Sequence, residues 1–314
     1  MTSAGLIILA IKLSIALIVF GTGLRATPQD VTSLTRDPWL ALRSFVSMNV
    51  AMPVLAFTLA VAFALHPVIK GVLVAVAISP VPPFLPSKLT KHGAHGSYAI
   101  GLLTMESLLA IVVVPATVWI IERVLGVSLD VSAITIAKII ATSVLLPLVI
   151  GVGVRRLWPG FAERVVKRVM TLGLVLLVGG IVPLLAGSWR AMLSLVGNGT
   201  LAAIVVMTVV GLIVGHTLGG PAMEDRMVLA MSTASRHPAI AIAVGTAMFP
   251  NEKLVAPAVL MALIVGVITA APYDMWSKRI VAAKRPTLDS RSAGRGTGHQ
   301  GTSLHAGHIR ERRK

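Results

Sequence analysis

Cysteine is absent from this 314-residue chain, and charged residues are scarce. The first absence excludes disulfides, thiolate metal sites and cysteine nucleophiles. Asp, Glu, Lys and Arg together make up only 13% of the residues, whereas a soluble globular protein carries about a quarter. Apolar residues make up 55% of the chain and the mean hydropathy is +0.87. The composition therefore predicts an integral membrane protein.

The apolar residues are concentrated in nine windows, each close to the length of about 20 residues that a membrane-spanning helix needs. The windows cover residues 4–24, 44–65, 68–87, 97–121, 131–153, 169–187, 199–218, 227–249 and 254–273. We predict an all-α polytopic membrane protein with about nine transmembrane helices, in a transmembrane domain over residues 1–276. That domain leaves no room for a soluble catalytic domain, and the chain carries no phosphate-binding loop, nucleophile elbow or paired-carboxylate motif. An enzyme is therefore not expected.

The formal net charge of +16 is concentrated in the last part of the chain. Residues 277–314 are predicted to form a basic, disordered cytoplasmic tail, because 286–314 are rich in Gly, Ser, Thr and His and contain little that could be buried. The same segment has no aromatic residue for bases to stack on. A partner role for anionic lipid is thus favoured over nucleic acid.

The distribution of Lys and Arg predicts the orientation of the chain in the cell membrane. With the N-terminus outside, 21 of these residues fall in inside segments and four in outside loops, the latter being Lys70, Arg123, Arg190 and Lys253. Positive residues favour the cytoplasmic side. We therefore predict that the N-terminus is outside and the C-terminus is cytoplasmic.

Two windows contain prolines that interrupt a helix. The third window reads "AISPVPPFLPSK", with prolines at 80, 82, 83 and 86. In the eighth, Pro238 follows a run of polar residues in "MSTASRHP", residues 231–238. Each proline removes a backbone donor and clashes with the preceding turn. Unwound backbone survives at membrane depth only where it is buried in protein or lines a wet cavity, so the two breaks indicate one internal polar site.

The two interrupted windows are five spans apart, and an odd offset reverses direction across the membrane. This is the arrangement of an inverted repeat, in which broken helices at matching places mark the substrate site of many secondary transporters. The sequence thus predicts an inverted-repeat transporter with two broken helices that cross.

Several segments resemble the bile acid:sodium symporter family. They are "LIVFGTGL" at 17–24, "AMPVLAF" at 51–57, the proline at 80 and "DRMVLAMSTASRHPAIAIAVGTAMFP" at 225–250, with Arg226 on the family's arginine and Ala239, Ala241 and Ala243 on its small-residue run. The resemblance implies a panel domain and a core domain, two helices crossing at unwound centres, and sodium-driven transport of organic anions. A related arsenite-exporter family has a similar plan but depends on a cysteine, which this chain lacks.

The chain departs from this family at its sodium-binding positions. On the resemblance, those positions are occupied by Met231, Ser235 and Arg236 in the second break, Leu85 and Pro86 in the first, and Met48 beside Asn49. Sodium is a hard cation that prefers several oxygen ligands, which thioethers do not supply. The resemblance therefore implies weakened or lost sodium coupling. No cofactor and no metal site are predicted, and sodium stays possible only through the resemblance.

Arg236 is the most unusual residue of the candidate site, since an arginine near mid-bilayer is unfavourable by about 2.5–3.5 kcal/mol. Three interpretations remain open. Its guanidinium could replace the sodium ion of relatives, could bind a substrate carboxylate, or could pair with Glu106, which we take as the only acidic residue deep in a span. His237 and Glu106 are the candidates for proton coupling. The predicted substrate-binding residues are Arg236, His237, Ser232, Thr233, Ser235, Asn49, Pro82 and Ser87.

The sequence favours a secondary membrane transporter of a small organic anion. Two alternatives remain on the same fold: a membrane receptor that binds the ligand without transporting it, and a passive or proton-coupled facilitator. The substrate, the direction of transport and the oligomeric state are not predicted.

Overall fold

The computed structural model describes residues 3–125, 134, 138 and 140–296, and this part of the chain is helical with no β-strand. The prediction of an all-α polytopic fold is confirmed. The α-helices, numbered in chain order, are α1 (Ser3–Gly23), α2 (Pro28–Val31), α3 (Pro38–Phe45), α4 (Met52–Ala62), α5 (Pro67–Ala77), α6 (Leu85–Lys91), α7 (Gly96–Leu125), α8 (Leu146–Leu157), α9 (Pro159–Ser194), α10 (Thr200–Leu218), α11 (Met223–Ala234), α12 (Pro238–Met248) and α13 (Val255–Gly296).

Seven segments of the described chain are long and apolar enough to cross a membrane. The predicted number of nine is therefore not confirmed. The third window forms two short helices, α5 and α6, because the proline-rich segment between them cannot continue a helix. The fifth window lies partly outside the described residues, and its described end forms a π-helix over Ala141–Leu145 followed by α8.

Helices α1, α8 and α9 pack on one another. The closest approach is between α1 and α8, where a Cβ on Gly23 would lie 2.5 Å from the carbonyl oxygen of Leu148. A similar approach joins α10 to α11, where a Cβ on Gly215 would lie 2.5 Å from Cα of Ala230. Small residues at these crossings let helix backbones touch, which is how helices gain packing energy in a membrane.

The buried apolar residues form clusters around the two broken helices. One cluster joins α6, α7 and α11, and another joins α4, α5, α10 and α13. Many large apolar side chains on the outside of the molecule stay exposed, for example on α9, whose apolar segment is only 11% buried. Such a surface suits contact with lipid chains.

The last helix, α13, continues past the predicted domain boundary at residue 276. Ser277 is fully buried and Val281 is 1% exposed. The part of α13 just beyond residue 276 therefore still packs against the other helices. The spacing of four residues keeps both of them on one helix face. The boundary at 276 therefore falls inside a packed helix, and residues 297–314 of the predicted tail lie outside the described residues.

Candidate functional site

The two proline breaks meet inside the molecule. The first break lies between α5 and α6, and the second covers Ser235–His237, where Ser235 and His237 have extended backbone. The backbone N–H of His237 donates to the carbonyl oxygen of Pro80 at 2.8 Å. This hydrogen bond joins the two broken helices directly, so the crossing predicted from sequence is present.

The first break leaves the carbonyl oxygen of Ser79 without a helical partner. The residues three and four positions later, which would donate to it in a 3₁₀- or α-helix, are Pro82 and Pro83, and neither has a backbone N–H. Arg236 Nη1 donates to this oxygen at 3.1 Å. The guanidinium therefore satisfies an acceptor that the prolines leave unpaired, as buried carbonyl groups require.

A second carbonyl oxygen is freed in the helix before the Met-Pro pair. Residues Val46–Ala51 form a π-helix, in which the N–H of residue i pairs with the carbonyl of residue i−5. For the carbonyl of Met48 the donor in that pattern would be residue 53, which is a proline. Arg236 Nη2 donates to the oxygen of Met48 at 3.1 Å. One arginine thus binds carbonyl oxygens from two different helices.

Arg236 is 3% exposed and makes no ion pair with a carboxylate among the described residues. Pairing with Glu106, one of the three open interpretations, is therefore not seen as a direct contact. The Nε atom of Arg236 is buried and has no hydrogen-bond partner within the described part of the chain. A charged donor with an unused N–H at this position can bind an anion.

Glu106, 1% exposed on α7, is bound by an amide instead of a guanidinium. Asn49 Nδ2 donates to both carboxyl oxygens, at 2.9 and 3.1 Å. Asn49 therefore bridges two helices. The candidate spans of α11–α12 and of α13 also include the acidic residues Asp225 and Asp274.

His237 is fully buried, and neither ring nitrogen has a hydrogen-bond partner in the described part of the chain. The backbone N–H of His237, and not its ring, donates to a backbone carbonyl. The imidazole is therefore a second buried polar group with unused capacity at the crossing.

A cavity of about 140 Å³ lies beside the crossing. It is lined mainly by apolar side chains of α5, α10, α12 and α13, and by Pro82 and Phe84 of the first break. Polar groups lie at a few places on its wall: Arg236, Ser235, Thr208, Lys88 and Asp274. Binding sites for small molecules commonly combine an apolar wall with a few polar groups.

The other predicted residues are placed differently. Ser232 is buried, and Thr233 is bound to Ser47 through their hydroxyls at 2.7 Å, so neither lines this cavity. Ser87 is bound to Thr22 at 3.0 Å and lines a second cavity on the other side of α6. Sequence reasoning missed the carbonyl oxygens of Ser79 and Met48, and also Thr208, Lys88 and Asp274.

The described residues contain no cluster of His, Asp or Glu that could hold a metal ion. At the crossing, the carbonyl oxygens of Ser79 and Met48 are bound by Arg236. Met231 and Leu85, which occupy sodium-binding positions of the resembling family, line the cavity with apolar groups.

Comparison with known proteins gives two matches. The model of the Sodium Bile acid symporter family matches residues 12–195, which include the first break and end before the second. An "Uncharacterized sodium-dependent transporter YocS" of Bacillus subtilis (strain 168) is 29% identical over 171 residues, or 54% of this chain and 51% of the relative. The chain thus spans about half the length of that curated relative.

Proposed function

Because the chain belongs to the sodium bile acid symporter family, we propose that it is a secondary transporter of a small organic anion in which Arg236 replaces a transported sodium ion. Transporters, not enzymes, make up this family. The proposal places the protein in the cell membrane as a multi-pass protein, with the N-terminus outside and the C-terminus in the cytoplasm. Its partners are the lipid bilayer and the substrate.

The position of the Arg236 guanidinium is the observation that carries the proposal. It donates to two backbone carbonyl oxygens from two interrupted helices. Carbonyl oxygens at unwound helix segments are the groups that coordinate sodium in secondary transporters. In this protein the guanidinium of Arg236 binds two such carbonyl oxygens. The crossing thus has a positive charge without a bound metal ion.

The cavity beside Arg236 supports an organic anion as the substrate. The Nε–H of Arg236 and the hydroxyl of Ser235 bind the anionic group of the substrate. The apolar wall of the cavity contacts its hydrocarbon part. Pro82 supports this wall from the first break. At about 140 Å³, the cavity fits a small molecule better than a sterol acid.

A proton-coupled carrier is the second candidate, because Glu106 is buried and held by an amide instead of a cation. A carboxyl group in this setting can take up and release a proton. His237, buried at the crossing with two unbound ring nitrogens, is the other candidate for the coupling ion. A ligand receptor that does not transport has no specific observation in its favour.

The proposal is tested with purified protein in liposomes. A thermal-shift screen of short-chain mono- and dicarboxylates, sulfonates and sterol acids, with and without sodium, first identifies the ligand. We expect stabilisation by a small organic anion, with the same shift in sodium and in potassium. Uptake of that anion should be equally fast in both salts and should fall about tenfold or more in Arg236→Gln, because the anion loses its charged contact.

Three results would contradict or redirect the proposal. Uptake that requires sodium shows that the arginine does not replace the ion. Ligand binding without uptake shows a receptor. Uptake that rises with an inward proton gradient, and no longer responds to it in Glu106→Gln, shows the proton-coupled carrier.

A further inference from the structure

The short helix α6 separates two cavities. Leu85 and Lys88 line the cavity beside Arg236, which we call the central cavity. Pro86, Ser87 and Thr90 line a second cavity of about 240 Å³, which we call the polar cavity. The two sets of residues lie on opposite faces of the helix, as a repeat of 3.6 residues per turn requires. A helix of only seven residues is therefore the wall between the two spaces.

The second cavity has a polar wall, in contrast to the central cavity. It is lined by the hydroxyl residues Thr22, Ser87, Thr90 and Ser97, and by the charged residues Arg25 and Asp30. Burial raises the pKa of Asp30, but hydrogen bonds from Ser97 and Thr27 lower it, and the pKa ends below its ordinary value. Asp30 is thus ionised at neutral pH, and the wall carries one charge of each sign.

Side chains on both faces hold α6 in place. Lys88 Nζ lies 2.8 Å from Asp274 Oδ2 on α13, and His92 Nδ1 at the end of α6 lies 3.0 Å from the other oxygen of the same carboxylate. On the opposite face, Ser87 is bound to Thr22 of α1. One carboxylate therefore fixes α6 at two points, and both Lys88 and Asp274 also line the central cavity.

We propose that α6 is a gate between the central cavity and the polar cavity, and that Asp274 holds it closed. Release of Lys88 and His92 from Asp274 lets α6 move away from α13 and joins the two spaces. An anion that leaves the central cavity by this route passes from an apolar wall to a polar one that carries both Arg25 and Asp30. The inference rests on the proposed transport function.

Because the chain has no cysteine, single cysteines can report on this gate. Ala262→Cys places a thiol on the wall of the central cavity. Its rate of labelling by a membrane-impermeant maleimide is measured in right-side-out and inside-out vesicles. We expect Asp274→Asn to raise this rate about fivefold from the side that carries the polar cavity, and to leave the rate from the other side unchanged.

A charge exchange and a matched ion pair serve as controls. Lys88→Asp combined with Asp274→Lys restores the ion pair between these two positions but not the contact with His92, and should return labelling part of the way to the original rate. Glu163→Gln removes the exposed Arg155–Glu163 pair, 2.9 Å apart and distant from α6 in the chain, and should change nothing.

An unchanged labelling rate in folded Asp274→Asn, or faster labelling from both sides, would overturn the gate. Folding is checked by size-exclusion chromatography and thermal unfolding of each variant. Labelling does not need transport, so its result stands even where no uptake is found. Failure of the gate and failure of the transport proposal are in this way distinguished.

Discussion

At the scale of single residues, Arg236 connects a packing requirement with a proposed function. Two buried carbonyl oxygens need donors because prolines remove the usual ones, and the same guanidinium meets both needs. Its Nε–H has no hydrogen-bond partner in the described part of the chain, and the residue lines a cavity. The residue therefore has a structural role in the resting protein and an unused group for a ligand.

We expect Arg236→Met to destabilise the protein by about 3 kcal/mol, because two buried carbonyl oxygens lose a charged donor. Arg236→Lys should cost less, since one ammonium keeps the charge and can reach one of the two oxygens. Thermal or denaturant unfolding in detergent measures the difference.

The control for this prediction is Arg155→Met, which removes a charge from the exposed pair with Glu163 and should cost under about 1 kcal/mol. Equal stability of the Arg236 and Arg155 variants would show that the two carbonyl contacts contribute nothing.

Sequence reasoning identified Arg236, His237 and Glu106 as unusual residues, but it could not assign their contacts. Polarity within an apolar window marks a residue, whereas its partner depends on how helices that are distant in the chain pack. For this reason the sequence leaves a pairing of Arg236 with Glu106 open as one of three interpretations, and the structure places Asn49 on Glu106. One feature of the site could be predicted from the sequence. Prolines three and four residues after Ser79 show that its carbonyl oxygen needs a donor from outside the helix.

At the scale of elements, prolines decide where helices stop and which backbone groups become available. The breaks at residues 78–84 and 235–237 follow from Pro80, Pro82, Pro83 and Pro238. The π-helix before Pro53 has the same origin, since the missing N–H of the proline disturbs the preceding turn. These irregular segments supply the acceptors of the candidate site.

A double-mutant cycle tests the link between Pro53 and Arg236. Pro53→Ala returns an N–H that can bind a carbonyl of the π-helix, so Arg236→Met should cost about 1 kcal/mol less in that background than in the original protein. Unfolding free energies of the four proteins give the coupling.

Pro183→Ala is the matched control, since Pro183 also lies inside a transmembrane helix, α9, and the carbonyl oxygens bound by Arg236 belong to other segments. Its cycle with Arg236→Met should show no coupling. Equal coupling at both prolines would mean that the effect is a general one of proline removal.

The helix breaks could be predicted from sequence because proline acts locally. The number of spans could not, since a window of apolar residues has the same composition whether it forms one helix or two halves. The end of the last span was also placed too early. Beyond residue 276 the charged residues Lys278 and Arg279 lower the hydropathy of the window, although Ser277 and Val281 form a buried helix face. The burial of that face follows from packing and is not visible in the composition.

At the scale of the whole molecule, tryptophan and arginine mark the borders of the apolar surface. All five tryptophans are exposed, and Trp39 and Trp119 lie under the guanidinium groups of Arg43 and Arg123, at 5.2 and 5.7 Å from the ring centres. Tryptophan prefers the interface between membrane and water, and arginine stacks on its face there. This placement is typical of a protein that spans a bilayer.

Cysteine labelling in whole cells decides the orientation. Thr35→Cys lies in the 3₁₀ turn Ser33–Thr35 between α2 and α3, and Val196→Cys lies in the loop after α9; both positions are exposed. With the N-terminus outside, an impermeant maleimide should label position 196 in intact cells and position 35 only after the cells are permeabilised. The reverse pattern would show the opposite orientation.

The covalent attachment of Arg236 has a thermodynamic consequence for the proposed carrier. An ion performs work in a transport cycle only when it enters from one compartment and leaves into the other. A guanidinium fixed to the polypeptide returns to its starting point in every turnover, so it strengthens the affinity for an anion and contributes nothing to accumulating it. On this proposal, the stoichiometry of sodium to substrate is zero, and the anion moves down its own electrochemical potential unless a proton travels with it.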